Sequence, residues 1–303
     1  MRITILGAGG VGGTYGGLLA RSGHAVTLLA RGAHLDALRT RGLEVRTPEE
    51  RFTMAVTAAG GLEELGPADL AIVAVKGYSL AEVAPAARRL AEQGADVVPL
   101  LNGVEAADRL IASGVPADRV LGGMTEISAS RLAPGVVERR SSFQRVVVGE
   151  LAGGLSERAE RIAAAFVEAG ITAKASDDIT LDLWRKLSFI SPMAAACGLA
   201  RSPIGAIRDA PLGRLVIERA VREVSAVGRA RGIALTEEDI ARTLSFVDGM
   251  APGLKPSFLL DLESGGPNER DDLFGAVSRL GRQARVETPV HDVATAALGV
   301  ERR

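Results

Sequence analysis

The order of elements in the first 31 residues constrains the fold more than any other feature of the chain. Arg2–Leu6 and Ala25–Leu29 are short apolar runs, and between them lie the glycine-rich residues 7–12 and a segment with helical spacing at 13–21. A strand, a glycine turn, a helix and a second strand in this order begin a dinucleotide-binding unit. The pattern therefore predicts a parallel α/β sheet that starts at the first residues.

Each glycine in the turn has a separate physical task. Gly7 permits the tight turn after the strand, Gly9 has no Cβ to obstruct a pyrophosphate, and Gly12 lets the helix pack closely on the sheet. The N–H groups at the start of the helix would then face the phosphates. The residues expected to bind the cofactor are Gly7, Ala8, Gly9, Gly10, Val11 and Gly12. A structural glycine turn and another nucleotide-like ligand, such as S-adenosylmethionine, remain alternatives.

Arg31 indicates which dinucleotide the turn would bind. NAD-preferring sites usually carry Asp or Glu at the end of the second strand, where the carboxylate holds the ribose 2′-hydroxyl. This chain has Arg31 at that place and no acidic residue. A guanidinium suits a 2′-phosphate, so NADP(H) is the expected cofactor. The alternative interpretation is an ordinary solvated arginine.

Composition narrows the class of protein. The 303 residues are enough for two domains, and 47% apolar with 24% charged residues is typical of a soluble globular protein. The net charge of −1 gives no field that would attract nucleic acid or a membrane. Cys197 is the single cysteine, which excludes an intrachain disulfide and suits a reducing compartment. With no span-length apolar run and no signal peptide, we expect a cytoplasmic protein.

The pattern of the chain changes near residue 174. Before it, short apolar runs alternate with helical segments, and Val136–Arg139 and Arg145–Gly149 are predicted as a late antiparallel addition. After it, long segments with a 3.6-residue period follow at 179–199, 211–231, 237–249, 267–284 and 289–299. We predict an NADP(H)-binding Rossmann domain over 1–174 and a helical substrate and dimerisation domain over 175–303.

Two polar residues follow neighbouring predicted strands. Lys76 comes after the strand at 70–75, and Asn102 comes after the strand at 97–101. Ligands of an open α/β sheet bind beyond the carboxyl ends of its strands. Each residue could be an ordinary loop residue, and Asn-Gly is a common turn dipeptide. Because the chain holds only four lysines and two asparagines, their occurrence at successive strand ends favours a functional role.

Lys186 opens the helical region beside the single tryptophan. Trp184 and Leu187 are three residues apart and share a helix face, whereas Lys186 projects toward a different side. One interpretation is an exposed lysine next to a core tryptophan, and periodicity alone favours it. The other is a desolvated lysine in an interdomain cleft, with a lowered pKa, that donates a proton to a carbonyl oxygen.

Three C-terminal segments complete a set of motifs. Ser257–Glu263 has a Ser-x-x-x-Asp pattern, residues 267–271 read Pro-Asn-Glu-Arg-Asp, and residues 287–290 read Glu-Thr-Pro-Val. Together with the glycine turn, Arg31, Lys76-Gly77, Asn102-Gly103 and Trp-Arg-Lys-Leu at 184–187, these segments resemble the ketopantoate reductase family over essentially the whole chain.

The resemblance implies a fold, a reaction and a set of site residues. The family joins an N-terminal Rossmann domain to a helical domain and reduces a 2-keto acid with NADPH in the cleft between them. Lys186 would be the proton donor, and Asn102 and Ser257 would contact the substrate. The glycine turn and Arg31 would hold the cofactor, in a site completed by Lys76, Asn102, Ala129 and Glu269. These roles are chemically consistent, because hydride transfer to a carbonyl carbon generates an alkoxide that an ammonium can stabilise.

Three positions depart from the family pattern. Where pantoate-forming enzymes place substrate-binding asparagines, this chain has Ile190 and Ala194, four and eight residues after Lys186, and Ile204 in a Pro-x-Gly turn. Each lost hydrogen bond to a polar substrate costs roughly 1–3 kcal/mol. We therefore expect a keto-reductase whose substrate pocket, lined by Ile190 and Ala194, is more apolar, with ketopantoate reductase proper as the alternative.

Other function classes stay open on the sequence alone. A hydroxyacid or opine-type dehydrogenase also joins a Rossmann domain to a helical one, and a non-catalytic NADP(H) sensor would explain the lost asparagines. The three histidines are scattered and show no partner spacing, so no metal site is expected. The expected partners are a small keto substrate and a second copy in a homodimer, without nucleic acid or membrane.

Overall fold

The computed structural model describes residues 1–300, which form two compact units. One, the N-terminal unit, comprises residues 1–101 and 105–179; the other, the helical unit, comprises residues 102–104 and 180–300. The domain boundary predicted after residue 174 falls inside a strand. This strand continues to Ser176 because it pairs in register with Arg145–Gly149, and the unit ends at Ile179.

The N-terminal unit alternates strands and helices. In chain order it contains β1 (Arg2–Leu6), α1 (Gly10–Arg21), β2 (Ala25–Leu29), α2 (Gly32–Arg41), β3 (Leu43–Arg46), β4 (Arg51–Met54), β5 (Thr57–Ala59), β6 (Leu70–Val73), α3 (Leu80–Glu92), β7 (Asp96–Pro99), α4 (Ala106–Ala112), β8 (Gly122–Glu126), β9 (Ala129–Ala133), β10 (Val136–Arg139), β11 (Arg145–Gly149), α5 (Glu157–Glu168) and β12 (Thr172–Ser176). The two strands predicted around the glycine turn are confirmed at both ends.

A five-stranded parallel sheet forms the centre of this unit. Its strand order is β5-β2-β1-β6-β7, with β1 between its sequence neighbour β2 and the later strand β6. Strands β6 and β7 are buried along their whole length, as expected for parallel strands covered on both faces. Because β1 is central, the turn that follows it lies at the point where the chain crosses to the other side of the sheet, which is where such folds bind ligands.

Two smaller sheets complete the N-terminal unit, and they correct the expectation for β10 and β11. These strands do not form one antiparallel addition. Strand β10 pairs antiparallel with β9 and parallel with β3, whereas β11 pairs antiparallel with β8 and parallel with β12. The parallel partner of β10 lies far earlier in the chain, which local patterning does not reveal, whereas that of β11 is the next strand, reached through α5.

The helical unit consists of seven helices within the described residues. They are α6 (Ile179–Ala200), α7 (Ile204–Arg208), α8 (Gly213–Ala230), α9 (Glu237–Asp248), α10 (Ser257–Glu263), α11 (Phe274–Ala284) and α12 (Pro289–Gly299). The helix predicted over 267–284 begins only at Phe274, because residues 269–273 form turns closed by N–H groups of Asp272 and Leu273 on the Glu269 carbonyl. None of the helices in residues 1–300 is long and apolar enough to cross a bilayer.

Candidate active site

The glycine-rich turn between β1 and α1 is shaped by positions that cannot accept a Cβ. Gly7 has φ +110°, in the region that favours glycine, and a Cβ there would lie 2.5 Å from Cγ1 of Val75. A Cβ on Gly12 would lie 2.1 Å from the carbonyl oxygen of Gly7. The turn therefore folds back on the first residues of α1, and it also touches the chain just after β6.

Gly9 has the opposite environment. It precedes α1 as the N-cap residue, and a Cβ built on it would meet nothing within 4 Å. The open space next to Gly9 therefore lies outside the turn, where a ligand could approach the backbone. The first N–H groups of α1 receive no side-chain cap from Gly9, so the start of the helix offers donors and a positive dipole end. These features fit the pyrophosphate of a dinucleotide.

The turn is braced from two directions within the N-terminal unit. The backbone N–H of Gly135 donates to Nδ1 of His34 at 2.9 Å, so Nε2 carries the proton and donates it to the carbonyl oxygen of Ala8 at 2.8 Å. Strand β9 starts against the other side, because a Cβ on Gly10 would lie 2.5 Å from the backbone of Ala129. The structure thus brings the predicted residue Ala129 next to the turn.

Arg31 and Lys76 lie at the ends of the two strands that flank β1. Arg31 is the N-cap residue of α2 and is 65% exposed, and its NH1 lies 2.7 Å from Oε2 of Glu82 on α3. Lys76 is half-buried and directly follows Val75, the residue that touches Gly7. Both cations therefore belong to the same edge of the sheet as the glycine turn.

A chain of hydrogen bonds joins three predicted site residues in the helical unit. Nζ of Lys186 donates to Oδ1 of Asn102 at 2.9 Å, and Nδ2 of Asn102 donates to Oε2 of Glu269 at 3.1 Å. A carboxylate only accepts and an ammonium only donates, so this arrangement determines which end of the amide faces each partner. Both bonds involve a charged group and are stronger than neutral ones.

The backbone around Asn102 explains this juxtaposition. Gly103 has φ +90°, and a Cβ there would lie 2.6 Å from the carbonyl oxygen of Asp272. The segment 102–104 therefore packs directly on the turn that contains Glu269, which is only 4% exposed. The half-buried Lys186 reaches the same place from α6.

The remaining predicted substrate residues have different environments. Ile190 is half-buried and lies one turn after Lys186 on α6. Ala194 and Ile204 are 1% and 0% exposed, in two separate apolar clusters of the helical unit. Ser257 is exposed and is the first residue of α10, after the N-cap residue Pro256.

Sequence reasoning missed a buried polar cluster in the helical unit. Nδ1 of His291 bonds Oε2 of Glu223 at 2.6 Å, and its Nε2 lies 3.0 Å from Oγ of Ser191. Glu223 also accepts the N–H groups of Val290 and His291, so it closes the start of α12. Glu223 and Ser191 are 68 and 100 residues from His291 in the sequence, so no spacing pattern could have indicated this cluster. All three side chains of the cluster are buried.

Models of two family segments match the chain. The one described as Ketopantoate reductase PanE/ApbA matches residues 3–153, and the one described as Ketopantoate reductase PanE/ApbA C terminal matches residues 178–301. The chain belongs to the ketopantoate reductase family. The expected fold class, a Rossmann-type parallel-sheet domain followed by helices, is confirmed.

Similar proteins extend over the whole chain. The 2-dehydropantoate 2-reductase of Halobacterium salinarum is 35% identical over 295 residues, which cover 96% of this chain and 95% of that protein. The crystal structure of 2-dehydropantoate 2-reductase from Geobacter metallireducens gives a TM-score of 0.90 at 30% identity and covers 99% of each chain. The ternary structure of D-mandelate dehydrogenase with NADH and anilino(oxo)acetate gives 0.89 at 26% identity, covering 99% of this chain and 97% of that one.

Family membership settles the general chemistry. As a member of the ketopantoate reductase family, the chain is an oxidoreductase that acts on CH–OH and C=O groups, and its coenzyme is a nicotinamide dinucleotide. The preferred dinucleotide and the substrate are finer questions.

Proposed function

We propose that this protein uses NADPH to reduce the keto group of a 2-oxo acid with an apolar substituent. The hydrogen-bonded chain Lys186–Asn102–Glu269 is the observation that carries this proposal, because it presents an oriented ammonium in a half-buried place. The residues of the turn, Gly7 to Gly12, together with Arg31, Lys76 and Ala129, would hold the dinucleotide. Asn102 and Glu269, which the family resemblance adds to the cofactor site, stay predictions there.

The bound dinucleotide would supply a hydride to the carbonyl carbon, and this chain's residues would manage the oxygen. Lys186 would donate a proton to that oxygen and stabilise its developing negative charge. An ammonium has three donor hydrogens, and Lys186 directs one of them to the carbonyl oxygen of Asn102. Glu269 would keep the amide oxygen of Asn102 turned toward Lys186, since a carboxylate rejects that oxygen.

The preference for NADPH rests on Arg31. The end of β2 provides a guanidinium and no carboxylate, which suits a 2′-phosphate better than a free 2′-hydroxyl. Gly32 beside it has φ +54°, and a Cβ there would meet nothing within 4 Å, so this place has room for a ligand.

The proposal that the substrate carries an apolar substituent depends on residues of α6. Residues four apart on a helix are neighbours, so Ile190 would present an alkyl wall next to Lys186. Ala194 lies eight residues from Lys186, about 12 Å along the helix axis, and would contribute less. The ligand named in the D-mandelate dehydrogenase structure, anilino(oxo)acetate, joins an aromatic group to an oxo acid, which supports a substituent of this kind. Ser257 would contact the carboxylate end of the substrate.

Ketopantoate reductase proper is the second candidate. The relatives named 2-dehydropantoate 2-reductase favour it, with identities of 35% and 30% across nearly the whole chain in the two reported above. The apolar residues Ile190, Ala194 and Ile204 speak against it, since they provide no hydrogen bonds to a polar hydroxy acid. The homodimer and the cytoplasmic location stay predictions.

The test measures NADPH oxidation by the purified protein against 2-oxo acids with alkyl or aromatic substituents, with ketopantoate included. We expect efficient turnover of an apolar oxo acid and poor turnover of ketopantoate. Lys186→Ala should lower kcat by about 10²- to 10⁴-fold and leave the dissociation constant for NADPH unchanged. Lys174→Ala, on β12 of the N-terminal unit, is the matched control and should change neither.

Three results would contradict this proposal in different ways. Efficient turnover of ketopantoate would favour the second candidate. Equal use of NADH and NADPH would remove the coenzyme preference. Tight NADPH binding without any turnover would indicate a sensor.

A further inference from the structure

The guanidinium of Arg31 already has an anionic partner in this chain. Glu82 lies in the first turn of α3, and its Oε2 is 2.7 Å from NH1 of Arg31. The two side chains are 53% and 65% exposed, and they come from elements that follow different strands of the parallel sheet. The pair therefore lies at the surface of the N-terminal unit, where a ligand can reach both groups.

The surroundings of Arg31 otherwise favour an anion. Helix α2 starts directly after it, has no acidic residue in its first turn, and receives no side-chain hydrogen bond at its N-cap. The unsatisfied N–H groups and the dipole at this end attract negative charge. The carboxylate of Glu82, which comes from another helix, thus pairs with the Arg31 guanidinium, the group best suited to bind a 2′-phosphate.

A phosphate monoester and Glu82 would compete for one cation. A phosphate monoester carries about −1.5 to −2 charges at neutral pH, so the Glu82 carboxylate repels it. When the phosphate binds Arg31, Glu82 must either share the guanidinium or lose its ion pair. NADH has a hydroxyl in place of that phosphate and escapes the repulsion. We propose that Glu82 is a specificity-determining residue that weakens the preference of this enzyme for NADPH over NADH. This inference rests on the proposed function, since it assumes that Arg31 binds the 2′-phosphate.

The experiment compares dissociation constants of NADPH and NADH by titration of the purified protein at low and at high salt. Glu82→Gln keeps the shape of the side chain and removes its charge. We expect it to tighten NADPH binding by about 3- to 10-fold at low salt, with a smaller gain at high salt. NADH binding should change by less than about twofold, because an exposed charge acts weakly on a neutral group.

Two further variants isolate the cause. Glu92→Gln is the matched control, since Glu92 lies on the same helix and pairs with Arg88 at 2.7 Å with similar exposure. It is ten residues from Glu82, about 15 Å along the axis, and should leave both dissociation constants unchanged. Combining Glu82→Gln with Arg31→Ala should abolish the gain, because no guanidinium is left to release.

The outcomes separate this inference from the function on which it rests. A wild-type protein that binds neither dinucleotide would overturn the proposed function. NADPH binding that Arg31→Ala weakens and Glu82→Gln leaves unchanged would overturn the role of Glu82 alone. Weaker NADH binding in Glu82→Gln, with NADPH unaffected, would also overturn it, because Glu82 would then be a ribose contact rather than a competitor.

Discussion

The glycine-rich turn and the cluster of Lys186, Asn102 and Glu269 are formed by different parts of the chain. The turn consists of six consecutive residues, and its proposed role depends on backbone groups and on missing side chains. The cluster consists of three side chains that lie 84 and 167 residues apart in the sequence, and its proposed role depends on the charges of Lys186 and Glu269. The turn should therefore be sensitive to an added methyl group, and the cluster to a change of charge at constant shape.

The largest expected effect tests the first half of this comparison. Gly12→Ala would place a Cβ 2.1 Å from the carbonyl oxygen of Gly7 and 2.8 Å from Cγ2 of Ile5. Both neighbours are tightly held at the end of a central strand, so the backbone must move. We expect a loss of about 3 kcal/mol or more in the free energy of unfolding, measured by chemical denaturation.

Gly9→Ala is the matched control within the same turn. Its Cβ would meet nothing within 4 Å, and its φ of −75° suits any residue, so the unfolding free energy should stay within about 0.5 kcal/mol of wild type. The same methyl group would obstruct a pyrophosphate and weaken dinucleotide binding. Equal losses of stability in both variants would show that the turn does not distinguish an inner from an outer glycine.

The fold of the N-terminal unit could be predicted largely because its signals are local. The spacing of apolar residues predicted β1 and β2 with correct ends. Partners that come from distant segments left no such signal. This is why the pairing of β10 with β3, in a sheet separate from β11, was not predicted.

The candidate site was predictable only as a set of residues. The resemblance to the ketopantoate reductase family identified Lys186, Asn102 and Glu269 as site residues. Neither spacing nor composition shows that the amide of Asn102 bridges the other two side chains. The assignment of residues 102–104 to the helical unit is also invisible in the sequence, since it depends on Gly103 packing against Asp272. Glu82 had no signal at all, because a surface carboxylate on a helix is ordinary.

A smaller effect tests the second half of the comparison. Glu269→Gln keeps the size of the side chain, but its amide can face Asn102 with either end, so Asn102 is no longer held with its oxygen toward Lys186. Loss of one charged hydrogen-bond partner is worth about 1.5–3 kcal/mol, and we expect kcat to fall by about 10- to 100-fold, with a loss of NADPH affinity as well if Glu269 contacts the cofactor. Steady-state kinetics and NADPH titration measure the two quantities.

Glu263→Gln is the control for that variant. Glu263 belongs to the same unit, but it pairs with Lys255 at 2.8 Å and is exposed. Its removal should leave kcat unchanged. If both variants reduced kcat equally, the effect would be a general response of the helical unit to lost charge, and the orienting role of Glu269 would be wrong.

Two buried histidines show the same contrast on a smaller scale. His291 is bonded by side chains of Glu223 and Ser191, whereas His34 is bonded by the backbone of Ala8 and Gly135. No pattern in the sequence indicated a partner for either histidine, since all of these partners are distant in the chain or belong to the backbone.

His34 gives the smallest effect and links the turn to pH. Burial lowers the pKa of His34, the hydrogen bond to Ala8 opposes this shift, and nearby Arg131 adds to it. The folded state therefore binds a proton less readily than the unfolded chain, whose imidazole has a pKa near 6.5. The contribution of His34 to stability is complete above about pH 6.5 and is lost as the pH falls from there toward the lower folded-state pKa.

The loss has a structural cause that a variant can isolate. A protonated imidazole cannot accept the N–H of Gly135, so the support of the Ala8 carbonyl is disturbed. His34→Gln removes the titration while keeping a donor for Ala8. Between about pH 6.5 and pH 5 we expect the wild-type unfolding free energy to fall more steeply than that of His34→Gln, by less than about 1 kcal/mol in total. Parallel pH profiles in urea denaturation would mean that the brace on the glycine-rich turn does not depend on the charge of His34, and that the turn is held by its own backbone alone.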